Sequence, residues 1–206
     1  LEMKLSILVP TTIERLTHAS RTMAELQRQA HQLPVEVLVL VDNRKSTIGA
    51  KRNTLMDLAQ GAFISFVDDD DRIEIDYVQT LLECIDQYPD ADCINFEVEV
   101  NLSGLGKKIC KYDVNYSHSE DEQYYYRKPN SRVCYAKKIA VQHRYQDSNY
   151  GEDDEWGWRA CQSIRNQIQI NKTLYYYDYI LKRPSDNRGL RDWEDHLMQQ
   201  SLNRYM

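Results

Sequence analysis

The chain has 206 residues, 42% hydrophobic and 28% charged, which is the size and balance of one ordinary folded domain and excludes a disordered or fibrous chain. Its formal charge of −6 provides no electrostatic footprint for indiscriminate binding to nucleic acid or a membrane surface, a local basic patch apart. Cys84, Cys93, Cys110, Cys134 and Cys161 stand far apart with no CxxC pair, which argues against a zinc site or disulfide framework and suits reduced thiols in a cytoplasmic compartment. No apolar run approaches the roughly twenty residues of a membrane span, and no signal-peptide pattern is present. Leu1 and Glu2 ahead of Met3 read as a cloning remnant, and the chain is open to being one piece of a longer protein.

The first half alternates strand and helix. Leu5–Val9 reads as a short buried strand stopped by Pro10, and His18–His31 as a helix with Ala19, Met23, Leu26 and Ala30 on one face. Val35–Val41 is a nearly continuous β-branched run, the pattern of a strand covered on both faces. Ile48–Gln60 reads as a helix carrying Leu55, Met56 and Ala59 inward, with Gly61 at its C-terminus. Ala62–Val67 is a third strand, ending in Asp68-Asp69-Asp70-Asp71, and Asp76–Tyr88 a further amphipathic helix closed by Pro89. This order predicts an α/β fold, a mainly parallel sheet with helices on both faces. Ligands then bind outside the carboxyl ends of the strands. Three of those ends carry polar residues: Thr11 and Thr12, Asp42 and Asn43, and the Asp68–Asp71 run.

The second half is less regular. Asp92–Leu102 alternates as a strand, with Lys107–Val114 pairing back across a Gly104/Gly106 turn. Ser117–Asn130, polar and tyrosine-rich, reads as a loop. Ser131–Ala136 follows as a strand, Asp153–Arg165 as a helix, Ile168–Tyr179 as a strand and Leu190–Tyr205 as a polar terminal helix.

Four adjacent carboxylates at the end of a buried strand repel one another, and without a cation or a basic partner some take up protons. A hard divalent ion relieves this through one or two carboxylates, with phosphate and water as the other ligands. The plainer alternative is a solvated acidic turn before the next helix. A calcium EF-hand loop fails, since it needs glycine where Ile73 stands. In Gly151-Glu152-Asp153-Asp154-Glu155-Trp156-Gly157-Trp158-Arg159 the acidic residues open a helix, where carboxylates complement the dipole. Taken alone, that run also reads as a capped helix start with tryptophans packed beneath it.

Together these runs resemble an inverting GT-A glycosyltransferase, nearest the large family 2 of those enzymes. The resemblance covers Leu5 to about Arg159 and rests on five ordered elements. They are Ser6-Ile7-Leu8-Val9-Pro10-Thr11-Thr12; a second strand ending at Asp42; Ile48-Gly49-Ala50-Lys51-Arg52-Asn53; Phe66-Val67-Asp68-Asp69-Asp70-Asp71 with its DxD motif; and the Glu-Asp motif within Gly151–Trp158. The compact chain and its Ile48–Asp71 run are also similar in style to glycosyltransferases of viruses and bacteriophages.

The resemblance implies a Rossmann-like nucleotide-diphospho-sugar transferase domain, with a donor half over about residues 3–100. An acceptor half with the terminal helix covers about 101–206. Pro10, Thr11, Thr12, Asp42, Arg52, Asp68 and Asp69 would bind the donor, a UDP-sugar first and a GDP-sugar second, with Asp42 facing the base. Asp70 and Asp68 would hold Mn²⁺ or Mg²⁺. Asp153 would be the catalytic base, with Glu152 and Trp156 at the acceptor, a glycan or other hydroxyl compound. Many relatives add a late histidine as metal ligand, but Tyr179–Asn187 has none, leaving Lys182, Arg183 or Asp186 as candidates near the phosphates, or an ordinary surface loop. His143 and His196 stand without partner patterns. The tyrosines at 124–126 and 175–177 suit sugar stacking, although half-buried tyrosines are common. Two rivals stand beside this reading. One is a nucleotidyltransferase, for which Pro10–Arg15 lacks the glycine-rich basic loop; the other is a binding module without turnover.

Overall fold

The computed structural model describes residues 2–102 and 105–179, and within them ten strands form one sheet. Strands β1 (Leu5–Thr12), β2 (Val35–Asp42) and β3 (Phe63–Phe66) are parallel, with β1 in the middle. Helix α1 (Leu16–Ala30) connects β1 to β2, and α2 (Ile48–Leu58) connects β2 to β3. After β3 come β4 (Arg72–Ile73), α3 (Tyr77–Gln87), β5 (Cys93–Leu102), β6 (Gly106–Tyr112), β7 (Ser119–Glu120) and β8 (Tyr124–Arg127). Then follow β9 (Cys134–Ala136), α4 (Lys137–Ala140), α5 (Glu152–Ala160) and β10 (Gln167–Tyr179). The spatial order is β2-β1-β3-β9-β5-β6-β8-β7, with β10 on β5 and β4 on β10. Strand β9 is antiparallel to both β3 and β5, so β5 runs in the direction of β1 to β3, as does β10.

Every residue of β1 from Leu5 to Thr11 is buried, so both faces of the sheet are covered there. On α3 the buried Tyr77, Val78, Leu81, Leu82 and Ile85 repeat at helical spacing, and Tyr77 meets Phe96 of β5 edge-on at 5.8 Å. This packing holds the carboxyl ends of β1, β2 and β3 in one row.

Several expectations need correction. Strand β1 continues through Pro10, which registers with Leu40. Pairing with β3 ends at Leu8, so Pro10 lies where β1 has a strand on one side only, a place that tolerates a residue without an N–H. Strand β2 ends the sheet rather than lying covered on both faces: Val39 and Val41 are 37% and 38% exposed. Helix α1 turns Ala19, Thr22, Leu26 and Gln29 inward, because Gln29 and Thr22 have backbone partners to bond there. Helix α2 ends at Leu58, and Gly61 instead lies against β1, where a Cβ would sit 2.5 Å from the Ser6 nitrogen. The expected loop over residues 117–130 contains β7 and β8, which extend the sheet beyond β6. Residue Gly104 and the expected helix over residues 190–205 lie outside the described residues.

Candidate active site

At the ends of β1 and β2, Lys51 of α2 ties the strands together. Lys51 is 4% exposed, and its ammonium donates to the Thr11 carbonyl at 3.0 Å and to Asp42 Oδ1 at 2.7 Å. Asp42 also accepts the Ser46 N–H at 2.8 Å, and Lys51 first, then this bond, holds its pKa down at about 2. Asp42 is therefore an ionised, fixed acceptor at the strand end. Pro10 is buried, and Thr12 is half-buried with its Oγ1 unpartnered. Thr11 turns inward: its hydroxyl donates to Asp69 Oδ2 at 2.5 Å.

The four carboxylates after β3 have four different environments. Asp68 accepts from Arg52 Nη2 at 3.0 Å. Asp69 is buried and accepts a fork from Arg15, Nε at 2.9 Å and Nη2 at 2.5 Å, so it faces inward rather than toward a donor. Asp70 is 55% exposed and meets the same Arg15 Nη2 at 2.7 Å. Asp71, 1% exposed, accepts from the Tyr175 hydroxyl at 2.6 Å, which in turn accepts the Asp68 N–H at 3.0 Å. Burial, then the nearby Asp68 charge, push Asp71 well above the ordinary carboxylate range. Burial also acts on Asp68, but Arg52, Arg132 and Arg15 outweigh it and hold it below its ordinary value. The mutual repulsion read from the sequence is thus relieved by two arginines and one tyrosine.

Among the described residues, no group of three or more His, Cys, Asp or Glu is placed together to hold a metal. An ion here would rest on one or two carboxylates, with phosphate and water supplying the rest. That is the manner of Mg²⁺, and the all-oxygen pair Asp68 and Asp70 fits it or Mn²⁺.

The second acidic motif meets the first through Arg52. Gly151, at a left-handed φ of 71°, turns the chain into α5. Glu152, 6% exposed, accepts from Arg52 Nε at 3.3 Å. Burial and the adjacent Asp153 charge push Glu152 up to about 7. Asp153 pairs with Arg132 Nη1 at 3.3 Å; burial and then Asp154 raise it, against the pull of Arg132 and Arg52. The Arg132 guanidinium lies 4.3 Å from the Tyr177 ring centroid, with its buried Nε unbonded. Arg52 is 3% exposed, with its Nη1 also unbonded and its guanidinium 4.9 Å from the Phe66 ring centroid.

Arg52, Asp68, Glu152 and Asp153 of the expected site thus converge. Trp156 does not join them. It is fully buried, stacks on Tyr145 at 4.7 Å and 8°, and donates from Nε1 to the His143 carbonyl at 2.7 Å, so it is a core residue and not an acceptor contact. Tyr175 is likewise a buried support. Sequence reading missed Arg15, Lys51 and Arg132, and offered Tyr175 as a sugar-stacking ring rather than as the support of Asp68 and Asp71. Only Lys51, beside Arg52 in a quoted motif, carried a local signal. Lys182, Arg183, Asp186 and His196 lie outside the described residues.

The fold is that of GT-A glycosyltransferases. Over 85% of this chain it is similar to the crystal structure of S. aureus TarS 1-349, with 17% identity and a TM-score of 0.55. The same protein in complex with UDP-GlcNAc gives 16% identity and a TM-score of 0.56 over 88% of this chain. The family description "Glycosyl transferase family 2" matches residues 19–145, and the chain belongs to that family. "Putative glycosyltransferase EpsH" of Bacillus subtilis (strain 168) is 24% identical over 152 residues, 67% of this chain. The chain spans 43% of the length of EpsH and 60% of TarS 1-349. No helix among the described residues is long and apolar enough to cross a membrane.

Proposed function

We propose that this chain transfers a glycosyl group from a nucleotide diphosphate sugar to an acceptor hydroxyl, with inversion and with the help of Mn²⁺ or Mg²⁺. The observation that carries this reading is the single buried guanidinium of Arg52, which bonds Asp68 of the DxD turn and Glu152 of the Glu-Asp motif. Donor-side and acceptor-side carboxylates are thereby held at one place beyond the strand ends. TarS, solved in complex with UDP-GlcNAc and with UDP, supports a UDP-sugar ahead of a GDP-sugar.

In this reading Pro10, Thr12 and the fixed carboxylate of Asp42 line the nucleoside pocket. Asp70 and Asp68 would hold the metal. Bound there, Mn²⁺ or Mg²⁺ would supply Lewis-acid neutralisation of the charge on the leaving diphosphate. Asp153 takes the acceptor's proton while the acceptor oxygen bonds to the anomeric carbon and the bond from that carbon to the phosphate oxygen breaks. The nucleotide diphosphate leaves with the electron pair. Because burial and Asp154 raise Asp153, it is a better base near neutral pH than an exposed aspartate. Arg132 orients it, and Glu152 binds the acceptor.

Asp153→Asn tests the assignment. It should keep nucleotide binding and lose at least about a hundredfold in transfer, the usual scale of a general base. Transfer at the wild-type rate would remove Asp153 from the role. A wild-type chain that binds nucleotide sugar and never turns it over would favour a binding module.

A further inference from the structure

Arg15 ends the short 3-10 turn Ile13–Arg15 that follows β1, and it stands against the acidic turn. Its contacts there are unequal. Nε and Nη2 fork onto Asp69, a side chain 6% exposed that is also held by the Thr11 hydroxyl. Nη2 alone reaches Asp70 Oδ2, at 2.7 Å, on a side chain 55% exposed. A bidentate fork onto a buried carboxylate is strong and geometrically specific even from the 42% exposed Arg15 side chain, whereas a single contact on a solvent-facing carboxylate is weak and easily exchanged. Arg15 is therefore anchored to one aspartate and only leans on the next.

We propose that Arg15 is an internal counter-cation that occupies Asp70 in the resting chain and yields it to an incoming divalent ion, so that metal binds tightly only together with the nucleotide. This rests on the metal role given above to Asp70. Arg15 keeps its fork on Asp69 through the exchange, so the turn holds its shape while the charge on Asp70 changes partner. Metal without nucleotide must displace a guanidinium for one carboxylate. Metal carrying a diphosphate brings further ligands of its own and meets the same competitor with more contacts.

The test is titration of Mn²⁺ alone, followed by the electron paramagnetic resonance signal of the free ion, on the wild-type chain and on Arg15→Gln, Arg15→Ala, Arg15→Lys and Asp70→Asn, each checked for folding by thermal melting. Arg15→Gln and Arg15→Ala should bind Mn²⁺ about three- to tenfold more tightly than wild type, the scale of one removed competing charge at a partly exposed site. Arg15→Lys, which keeps the charge, should stay near wild type, and Asp70→Asn should bind more weakly than all of them. If Asp70→Asn weakens binding while the neutral Arg15 variants match wild type, the counter-cation role is overturned and the metal reading stands. Tighter binding by Arg15→Lys equal to that of Arg15→Gln also overturns it, since loosening of the turn would then be the cause. Binding unchanged in Asp70→Asn overturns the metal reading and the inference with it.

Discussion

The side-chain amide of Asn53 bridges the backbone of Tyr145 at both polar groups: Nδ2 donates to the carbonyl at 2.9 Å, and Oδ1 accepts the N–H at 2.8 Å. One turn earlier Gly49 lies under the same segment, where a Cβ would come 1.9 Å from the Gln146 carbonyl oxygen. Between these two contacts Lys51 and Arg52 project to the strand ends and to Glu152. Helix α2 is in this way fastened to the approach to α5, and Arg52 is held between the two acidic motifs.

Asn53→Ala removes both partners of the Tyr145 backbone at a half-buried place. A loss of about 1–3 kcal/mol in unfolding free energy is expected, the range for leaving buried polar groups unpaired. Chemical denaturation measures it. Stability within error of wild type would mean that water replaces the amide and that α2 is not fastened there.

Arg52→Met leaves the Asp68 and Glu152 carboxylates without their shared cation. Removal of one partner from a buried ionic network is expected to destabilise by about 3–5 kcal/mol. Arg52→Lys keeps the charge, but its three N–H donors sit on one nitrogen and cannot span two acceptors now met from separate guanidinium nitrogens, so it should recover only part of that stability and leave transfer strongly reduced. Equal activity in Arg52→Lys and wild type would show that the charge matters and the bridge does not.

Trp156→Ala empties a fully buried ring site and should cost about 3–5 kcal/mol, whereas Trp156→Phe, which keeps a ring on Tyr145 but loses the bond to the His143 carbonyl, should cost less. Neither ring exposure nor an acceptor contact is involved, so acceptor KM in Trp156→Phe should match wild type. A raised KM with unchanged melting temperature would restore Trp156 to the acceptor site.

The pH dependence has two parts. Asp153 must be ionised to take a proton, so kcat should fall as pH drops through its raised pKa, and that acid limb should lie above the ordinary aspartate range. Arg132→Gln removes a positive neighbour and should move the limb to still higher pH. Glu152 contributes with the opposite sense to stability. Its folded pKa of about 7 stands above the ordinary 4.5, so its proton is bound more tightly when folded. That contribution is complete below about 4.5 and is lost as pH rises through 7, so Glu152→Gln should flatten the stability profile across that window. A limb unmoved in Arg132→Gln would separate Arg132 from the base.

Much of this was legible because local pattern and chemistry coincided. The alternation of strands and helices placed Thr12, Asp42 and Asp68 at adjacent strand ends, and topology alone makes those ends a site. The convergence of Arg52 with Glu152 could be expected only from the resemblance, since no local pattern links α2 to α5. Trp156 was misread because an aromatic beside Glu-Asp looks the same whether it points to ligand or core. Its helical phase puts it on the inner face with Gly157 and Ala160. Arg15 and Arg132 carried no signal, because each meets its aspartate only after the sheet has formed. Tyr124–Arg127 hid a strand because tyrosines with lysines suit a loop and an outer strand alike. Here Lys111 and Lys108 lie 4.2 and 4.8 Å from the Tyr124 and Tyr125 ring centroids.

The most direct test of the central claim is calorimetric titration of UDP and GDP, and of their sugars, with and without Mn²⁺, on the wild-type chain and on Asp70→Ala. The account predicts that one nucleotide series binds, that Mn²⁺ tightens its binding at least about tenfold, and that Asp70→Ala loses the gain. Binding of the same strength with and without Mn²⁺, or no binding of any nucleotide by a folded sample, would contradict it.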